Sequence, residues 1–409
     1  MRHEILLALA IPLFTGFIVL EMWVAHRKSL PYFQLPQTIA NISIGIAERT
    51  CDLLTTALFF TWFQYLNQRF GIFSIRPGII HWLLLLLFTD FIWYWYHRLA
   101  HEINIFWAAH IVHHQSEDFN YTVSARITIF QAFIRNGFWS ILPVIGYPAE
   151  MITSLLLLHG LYPFFVHTRL VGKLGILEYV LVTPSHHRVH HASDEKYLDK
   201  NYGDVFIIWD KLFGTFQKEE SEPAYGITHP LKSYSFLWQH FHYFMELLVA
   251  AREEKGVFNK IKVFFARPDS ISPLAREKAA KFFSIRSATH DGDPSLNRYV
   301  IWQVVGALLL LVTTAIAESR LGGSDKFFIF TTLLVTLINC GAILEKKTWI
   351  GYLEAARLLL LIAWSYQLLP YWITTAAMTT TASLLYFYRR PAKYYYLLLV
   401  YKKFKPVSF

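Results

Sequence analysis

Apolar residues along this chain gather in long blocks, and the polar residues gather between them. Ile79 to Tyr96, Val300 to Ala317, Phe327 to Leu344 and Leu358 to Leu369 carry almost no charge, and a helix needs about 20 such residues to cross a bilayer. The pattern predicts helical spans near 5–24, 39–66, 79–96, 127–145, 151–167, 299–318, 327–344, 352–369 and 371–388, the second weak and partly polar. The fold class is therefore all-α: a multi-span helical integral membrane protein of about eight or nine transmembrane helices with a cytosolic helical cap. Residues 1–78 form an N-terminal transmembrane region. Residues 79–298 hold further spans and the cap, and 299–409 a second group of spans with a basic aromatic tail. The first block ends in His26-Arg27-Lys28 without a well-placed small-residue cleavage site, so it is expected to stay as a first span rather than leave as a signal peptide.

Composition agrees with this pattern. The 409 residues are 54% hydrophobic and 16% charged, where a soluble domain carries about 25% charge. The formal net charge of +9 would suit nucleic acid in a soluble protein, but no recognition motif accompanies it. In a membrane protein it marks orientation, because Lys and Arg collect in cytoplasmic loops. Threading the spans gives one face His26-Arg27-Lys28, the whole stretch 168–298, Glu345-Lys346-Lys347, Arg389-Arg390 and Lys402-Lys403. The other face receives little beyond Arg2, Arg69, Arg76, Arg320 and Lys326. The first face is then cytoplasmic, in the endoplasmic reticulum of a eukaryote or the inner membrane of a bacterium. Cys51 and Cys340 lie far apart in apolar stretches and imply no disulfide framework. Two cap segments stand out: Tyr234 to Ala250 is aromatic and weakly amphipathic, and Phe258 to Arg267 interleaves Lys260, Lys262 and Arg267 with Val263, Phe264 and Phe265. Each fits a helix in the bilayer interface and equally an ordinary helix packed on the cap.

Chemistry is carried by histidine. Of 18 histidines, eight fall in three clusters: His97 and His101 in HRLAH, His110, His113 and His114 in HIVHH, and His187, His190 and His191 in HRVHH. Spacings of three and four put the imidazoles of each cluster on one helix face. The first two clusters follow the third span, and the next two spans form a hairpin that returns the chain to the same side, so all eight converge just outside the hydrocarbon. One ion saturates at about six ligands, whereas two ions with about four imidazoles each keep positions open for water or O2. The count favours a dinuclear metal site. His186 adjoins the third cluster, and His167 sits where the fifth span returns; both are candidate ligands. Glu102, beside His101, is the candidate catalytic carboxylate, orienting an imidazole N–H or else serving a plain salt bridge. Asn104, Asn120, Tyr121, Asn201 and Tyr202 are candidate pocket residues, with turn or capping roles as the alternative. His159 reads as a satisfied buried histidine. His3, His26, His81, His229, His240, His242 and His290 read as surface or interface residues. Asn120-Tyr121-Thr122 matches a glycosylation sequon on the cytoplasmic side, where modification is not expected.

HxxxH, HxxHH and HxxHH at these separations resemble the fatty acid hydroxylase and sterol desaturase superfamily, the membrane di-iron oxygenases. The flanks HRLAHEINIFWAAHIVHHQSEDFNYTVSAR, LEYVLVTPSHHRVHH and DKNYGDVFIIWDKLFGTF resemble the alkylglycerol monooxygenase family in particular. The likeness is strong over about residues 80–215 and weaker in ILEKKTWIGYLEAARLLL near the C-terminus. It implies two iron ions held by the eight clustered histidines, O2 as oxidant and a membrane lipid as substrate. The reaction it implies is hydroxylation of the carbon beside a glyceryl ether oxygen, releasing a fatty aldehyde and a glycerol derivative. The implied external electron donor is tetrahydrobiopterin; sterol and fatty acid relatives use cytochrome b5 or a ferredoxin. Fatty acid hydroxylases carry a further histidine pair before the last motif, and here Pro163 stands at one position so that only His167 matches. A sterol or fatty acyl hydroxylase or desaturase is the alternative. A metal-binding or transport protein is disfavoured, since a transporter sets ionisable groups at the middle of its spans.

Overall fold

The computed structural model describes residues 3–283, 285, 294–347, 349–365 and 371–387. Within them the chain is helical, with two isolated β-bridges, Leu181 to Phe206 and Ala192 to Tyr225. The first helices are α1 (His3–Arg27), the 36-residue α2 (Leu35–Phe70), α3 (Ile79–Glu102) and α4 (Asn104–His114). The single turn α5 (Tyr121–Ser124) precedes α6 (Gln131–Trp139), α7 (Ile141–Ile145), α8 (Ala149–His159) and α9 (Tyr162–Val166). Then come α10 (Pro184–His190), α11 (Ile208–Phe213), α12 (Phe236–Glu253), α13 (Val257–Phe265) and α14 (Pro273–Phe282). The last group is α15 (Pro294–Ala317), α16 (Gly323–Leu344), α17 (Ile350–Ser365) and α18 (Tyr371–Phe387).

Among the described residues, four stretches are long and apolar enough to cross a membrane: α3, Ala149–Val166 across α8 and α9, Leu296–Arg320, and α16. The protein is thus multi-pass. The span expected at 127–145 is instead two helices of nine and five residues. At 1.5 Å per residue the longer one reaches only about 13 Å. The break falls at Ser140, whose hydroxyl folds back onto the Asn136 carbonyl at 2.8 Å. The turn that follows depends on Gly146, at φ 126°, where a side chain would collide with the Phe73 carbonyl. Residues 366–369 and 388 of the last two expected spans, and the basic pairs Arg389-Arg390 and Lys402-Lys403, lie outside the described residues.

Helix α2 belongs to two apolar cores. Ile39, Ile44, Ile46 and Ala47 pack with Ala108, Ile111 and Val112 of α4, Leu247 of α12 and Leu333, Leu337 and Cys340 of α16. Further along α2, Phe63 packs with Leu85, Trp139, Leu142, Met151 and Ile152. Cys51 and Cys340 are both free thiols. The carboxylate of Glu345, just past α16, accepts hydrogen bonds from Tyr234 N at 2.8 Å, Ser235 N at 2.9 Å and the Ser233 hydroxyl. That contact ties the C-terminal helices to the loop that enters α12.

Candidate metal centre

Four elements deliver the histidines. His97 and His101 lie one turn apart at the end of α3, and Ile103 breaks the helix so that α4 turns back with His110, His113 and His114. Thr183 caps α10 through a reciprocal pair with His186, and Pro184 opens its first turn. His187, His190 and the capping residue His191 follow. His167 ends α9.

The structure sorts nine of them into two abutting groups, each with ligand nitrogens within 4.8 Å of one another: His97, His101, His110, His114 and His190, and His113, His167, His187 and His191. All nine are buried. His114 and His191, one from each group, have ring centroids 4.4 Å apart.

Tautomers show what the groups are built to hold. His97 Nδ1 lies 2.7 Å from the Tyr202 carbonyl, His190 Nδ1 2.9 Å from that of Lys200, His113 Nδ1 3.2 Å from that of Arg126, and His167 Nδ1 2.6 Å from that of Pro163. A carbonyl only accepts, so each neutral ring carries its proton on Nδ1 and its lone pair on Nε2. The Nε2 atoms then face one another. His113 and His167 approach to 3.2 Å, and His97 and His110 to 2.9 Å. His101 Nε2 and His190 Nε2 are buried without any hydrogen-bond partner. Opposed lone pairs at this distance repel unless a cation lies between them. Metal–imidazole bonds of about 2.1 Å at right angles place neighbouring nitrogens about 3.0 Å apart, which is the observed spacing.

The rings stay neutral, as metal ligation requires. Burial first, and then the neighbouring imidazoles, push His110, His113, His114, His187 and His191 well below the usual histidine value. Burial takes His190 down to about 4. Aromatic rings close the surroundings: Trp107 and Tyr202 over His101, Phe119 over His167 and His191, and Trp93 beside His97.

One loop orients much of the five-histidine group. Asp199 and Asn201 both adopt positive φ, 57° and 54°, and the carbonyls of Lys200 and Tyr202 reach His190 and His97. Asp199 Oδ1 lies 3.6 Å from His101 Nδ1. Two buried side chains hold this loop. The Asn201 amide donates to the carbonyls of His186 at 3.0 Å and Gln217 at 2.8 Å. The Asp210 carboxylate accepts from Tyr202 N at 2.7 Å, Gly203 N at 2.8 Å and Thr215 Oγ1 at 2.7 Å. On the other group, the buried Arg126 guanidinium donates to Val112 O at 2.6 Å, Asn41 Oδ1 at 2.9 Å, Gln239 Oε1 at 2.8 Å and Gln115 Oε1. It fastens α4 to α2 and α12 while its own carbonyl faces His113.

The other candidate residues divide between expectations that hold and expectations that need correction. His186 joins neither group: its Nδ1 accepts from Thr183 N at 3.3 Å, so it caps α10. Glu102 accepts from Arg98 Nε at 3.0 Å one turn back instead of from an imidazole of either group; the carboxylate nearest one of these imidazoles is that of Asp199, 3.6 Å from His101 Nδ1. Asn104 bonds Val263 O at 2.8 Å and accepts from the Tyr243 hydroxyl at 2.6 Å. Asn120, fully buried, caps α5 and donates to Tyr32 O, and Tyr121 stacks on Phe164. His240 and His242 are buried in α12. His159 is a satisfied buried residue: Nε2 lies 3.0 Å from Asp90 Oδ1 and Nδ1 3.0 Å from Asp204 Oδ2. Asp90 also accepts from Val205 N, Phe206 N and Trp209 Nε1 at 2.9–3.1 Å, so these three side chains fasten the loop onto α3. The sequence reading missed Asp199, Arg126 and Asp210. Each lies inside a flank that carried the resemblance, but no spacing rule singles it out.

The fatty acid hydroxylase family matches residues 82–215, the stretch that contains all nine converging histidines. The chain is 31% identical to the alkylglycerol monooxygenase of Homo sapiens over 86% of its own length and 81% of the relative's. It is 32% identical to that of Danio rerio over 86% and 80%. Similarity to the lathosterol oxidase of Homo sapiens is 27%, over 38% of this chain and 50% of that one. No solved structure matches the chain. The long matches cover far more of the chain than the stretch that holds the histidine motifs, and the chain belongs to the fatty acid hydroxylase and sterol desaturase superfamily, in the family of the alkylglycerol monooxygenases.

Proposed function

We propose that this protein is a di-iron lipid monooxygenase that cleaves the ether bond of O-alkylglycerols, with tetrahydrobiopterin as the electron donor. The observation that carries the reading is the pair of abutting histidine groups with opposed Nε2 lone pairs. Their all-nitrogen donor set suits iron, with His97, His101, His110, His114 and His190 around one ion and His113, His167, His187 and His191 around the other. When bound, two irons supply the redox chemistry that inserts one atom of O2 into an unactivated C–H bond. Two electrons and two protons from outside the chain reduce the second oxygen atom to water. The carbon hydroxylated is the one attached to the ether oxygen, and the resulting hemiacetal breaks its C–O bond to give a fatty aldehyde and a free glycerol hydroxyl.

The chain's own residues prepare this step. Carbonyls of Lys200, Tyr202, Arg126 and Pro163 fix the proton on Nδ1 and turn Nε2 inward. Trp93, Trp107, Phe119 and Tyr202 exclude water from around the imidazoles. The site lies where α3 ends, within reach of a lipid in the bilayer, on the side read as cytoplasmic from the charge pattern.

The test crosses purified protein with O-alkylglycerol, sterol and fatty acid substrates, and with pterin or cytochrome b5 as reductant, and analyses products. Pterin-dependent fatty aldehyde from O-alkylglycerol is expected. Equal turnover with cytochrome b5 and no response to pterin would move the assignment to the sterol or fatty acyl alternative. Iron is expected at two per chain and is expected to fall, with activity, in His113→Ala and His190→Ala. Full iron in both variants would defeat the ligand assignment.

A further inference from the structure

Helix α13 has no buried residue. Val257, Phe258, Ile261 and Phe265 are 74%, 79%, 51% and 63% exposed, an apolar group that a soluble surface rarely leaves bare. At about 100° per residue these four fall within one 100° sector, with Lys262 about 40° beyond one edge and Lys260 about 60° beyond the other. Val263 and Phe264 turn back onto the core. Lys255 and Arg267 flank the helix at its two ends. An uncovered apolar stripe bracketed by cations is complementary to a lipid surface, acyl chains below and anionic headgroups beside.

The position of the helix selects the bilayer over another partner. The spanning helix α3 ends at Glu102, and two residues later Asn104 is tied to α13 twice, its N–H to Ala266 O at 2.9 Å and its amide to Val263 O at 2.8 Å. The end of α13 is therefore held beside the end of α3, on the face where that span emerges. Arg267 continues from there to Asp199 Oδ2 at 3.4 Å, and the other oxygen of Asp199 faces His101.

We propose that α13 lies in the headgroup region of the bilayer with Val257, Phe258, Ile261 and Phe265 in the lipid, and forms the lip over which a lipid passes to the five-histidine group. The first half concerns the membrane alone. The second rests on the lipid-oxidising reading above.

Spin labels on Phe258→Cys, Ile261→Cys, Phe265→Cys and Asn259→Cys, in full-length protein in phosphatidylcholine vesicles with and without phosphatidylglycerol, measure depth by collision with O2 and with a water-soluble nickel chelate. The labelled parent, carrying Cys51 and Cys340, is subtracted. Positions 258, 261 and 265 are expected to favour O2 and position 259 the nickel chelate, with phosphatidylglycerol deepening the first three. Nickel contact at all four positions would place the stripe in water. Protection from both probes would place a second protein copy on it. Either result overturns the proposal. The lip is tested by Phe258→Asp combined with Phe265→Asp, with iron content unchanged as the folding control. The KM for vesicle-borne lipid is expected to rise about tenfold while turnover of a short-chain analogue in detergent stays the same. Unchanged KM with the depths upheld would leave α13 interfacial and remove its role as a lip.

Discussion

Asp210→Asn is the sharpest perturbation of the loop that orients His97 and His190. The carboxylate is fully buried and accepts three hydrogen bonds, two on Oδ1 and one, from Gly203 N, on Oδ2. An asparagine that keeps the oxygen toward Tyr202 and Thr215 turns its NH2 onto the Gly203 N–H. One charge-assisted bond is lost and a buried donor is left unpaired, at a combined cost of about 3–5 kcal/mol. The Asn NH2 and the Gly203 N–H then face each other donor to donor, and relieving that contact shifts the loop and carries the Tyr202 and Lys200 carbonyls off His97 and His190. Losing such orienting partners weakens metal binding by about 10–100-fold. Metal per chain is measured after equilibration with graded chelator. The variant is expected to release one of two ions at about 10–100-fold lower chelator activity, with the second ion unmoved because Asp210 touches nothing in the four-histidine group. Release of both ions in parallel, or of neither, would refute the argument that this loop serves one group.

Three more outcomes follow from the packing. Gly341→Ala would drive a methyl into the Tyr234 carbonyl, so thermal unfolding in detergent should show a loss of about 1–3 kcal/mol; an unchanged midpoint would mean the 233–235 loop is not pinned to α16. Arg126→Lys leaves three donors on one nitrogen where four guanidinium hydrogen bonds hold α2, α4 and α12 together, and should destabilise the fold by about 2–4 kcal/mol and lower metal content at the four-histidine group. Burial pushes the Glu246 carboxyl up to about 8. A raised folded value means its contribution is present below the unfolded carboxylate value and is lost as pH rises toward 8. The stability of Glu246→Gln relative to the parent should therefore climb between pH 5 and 8 and level off above; a flat difference would contradict the assignment.

Much of this was legible in the chain. The spacings of His97 and His101, of His110, His113 and His114, and of His187, His190 and His191 specify helix faces, since a side chain three or four residues away returns to the same side. All eight converge. His167 was legible only by its position at the end of a returning span. His186 was not separable from its neighbours by spacing, because whether a terminal histidine caps its helix or points inward depends on backbone dihedrals at Thr183. The break at Ser140 escaped an apolar count, which sees hydropathy but not the turn at Gly146. Glu102 drew attention as the adjacent carboxylate, yet its position on α3 gives it to Arg98.

Local sequence therefore determined the all-α membrane character and the imidazole inventory, because hydropathy and helical periodicity act over one span or one turn. Tertiary structure alone decided the division of nine histidines into groups of five and four, and the tautomers of His97, His113, His167 and His190. Those tautomers depend on which backbone carbonyl, from Tyr202, Arg126, Pro163 or Lys200, meets each Nδ1. Three of these four contacts join residues 10 or more apart, and His97 meets Tyr202 across 105 positions. No local pattern encodes a hydrogen bond across that distance; it exists only once α3 and the loop held by Asp210 have packed together.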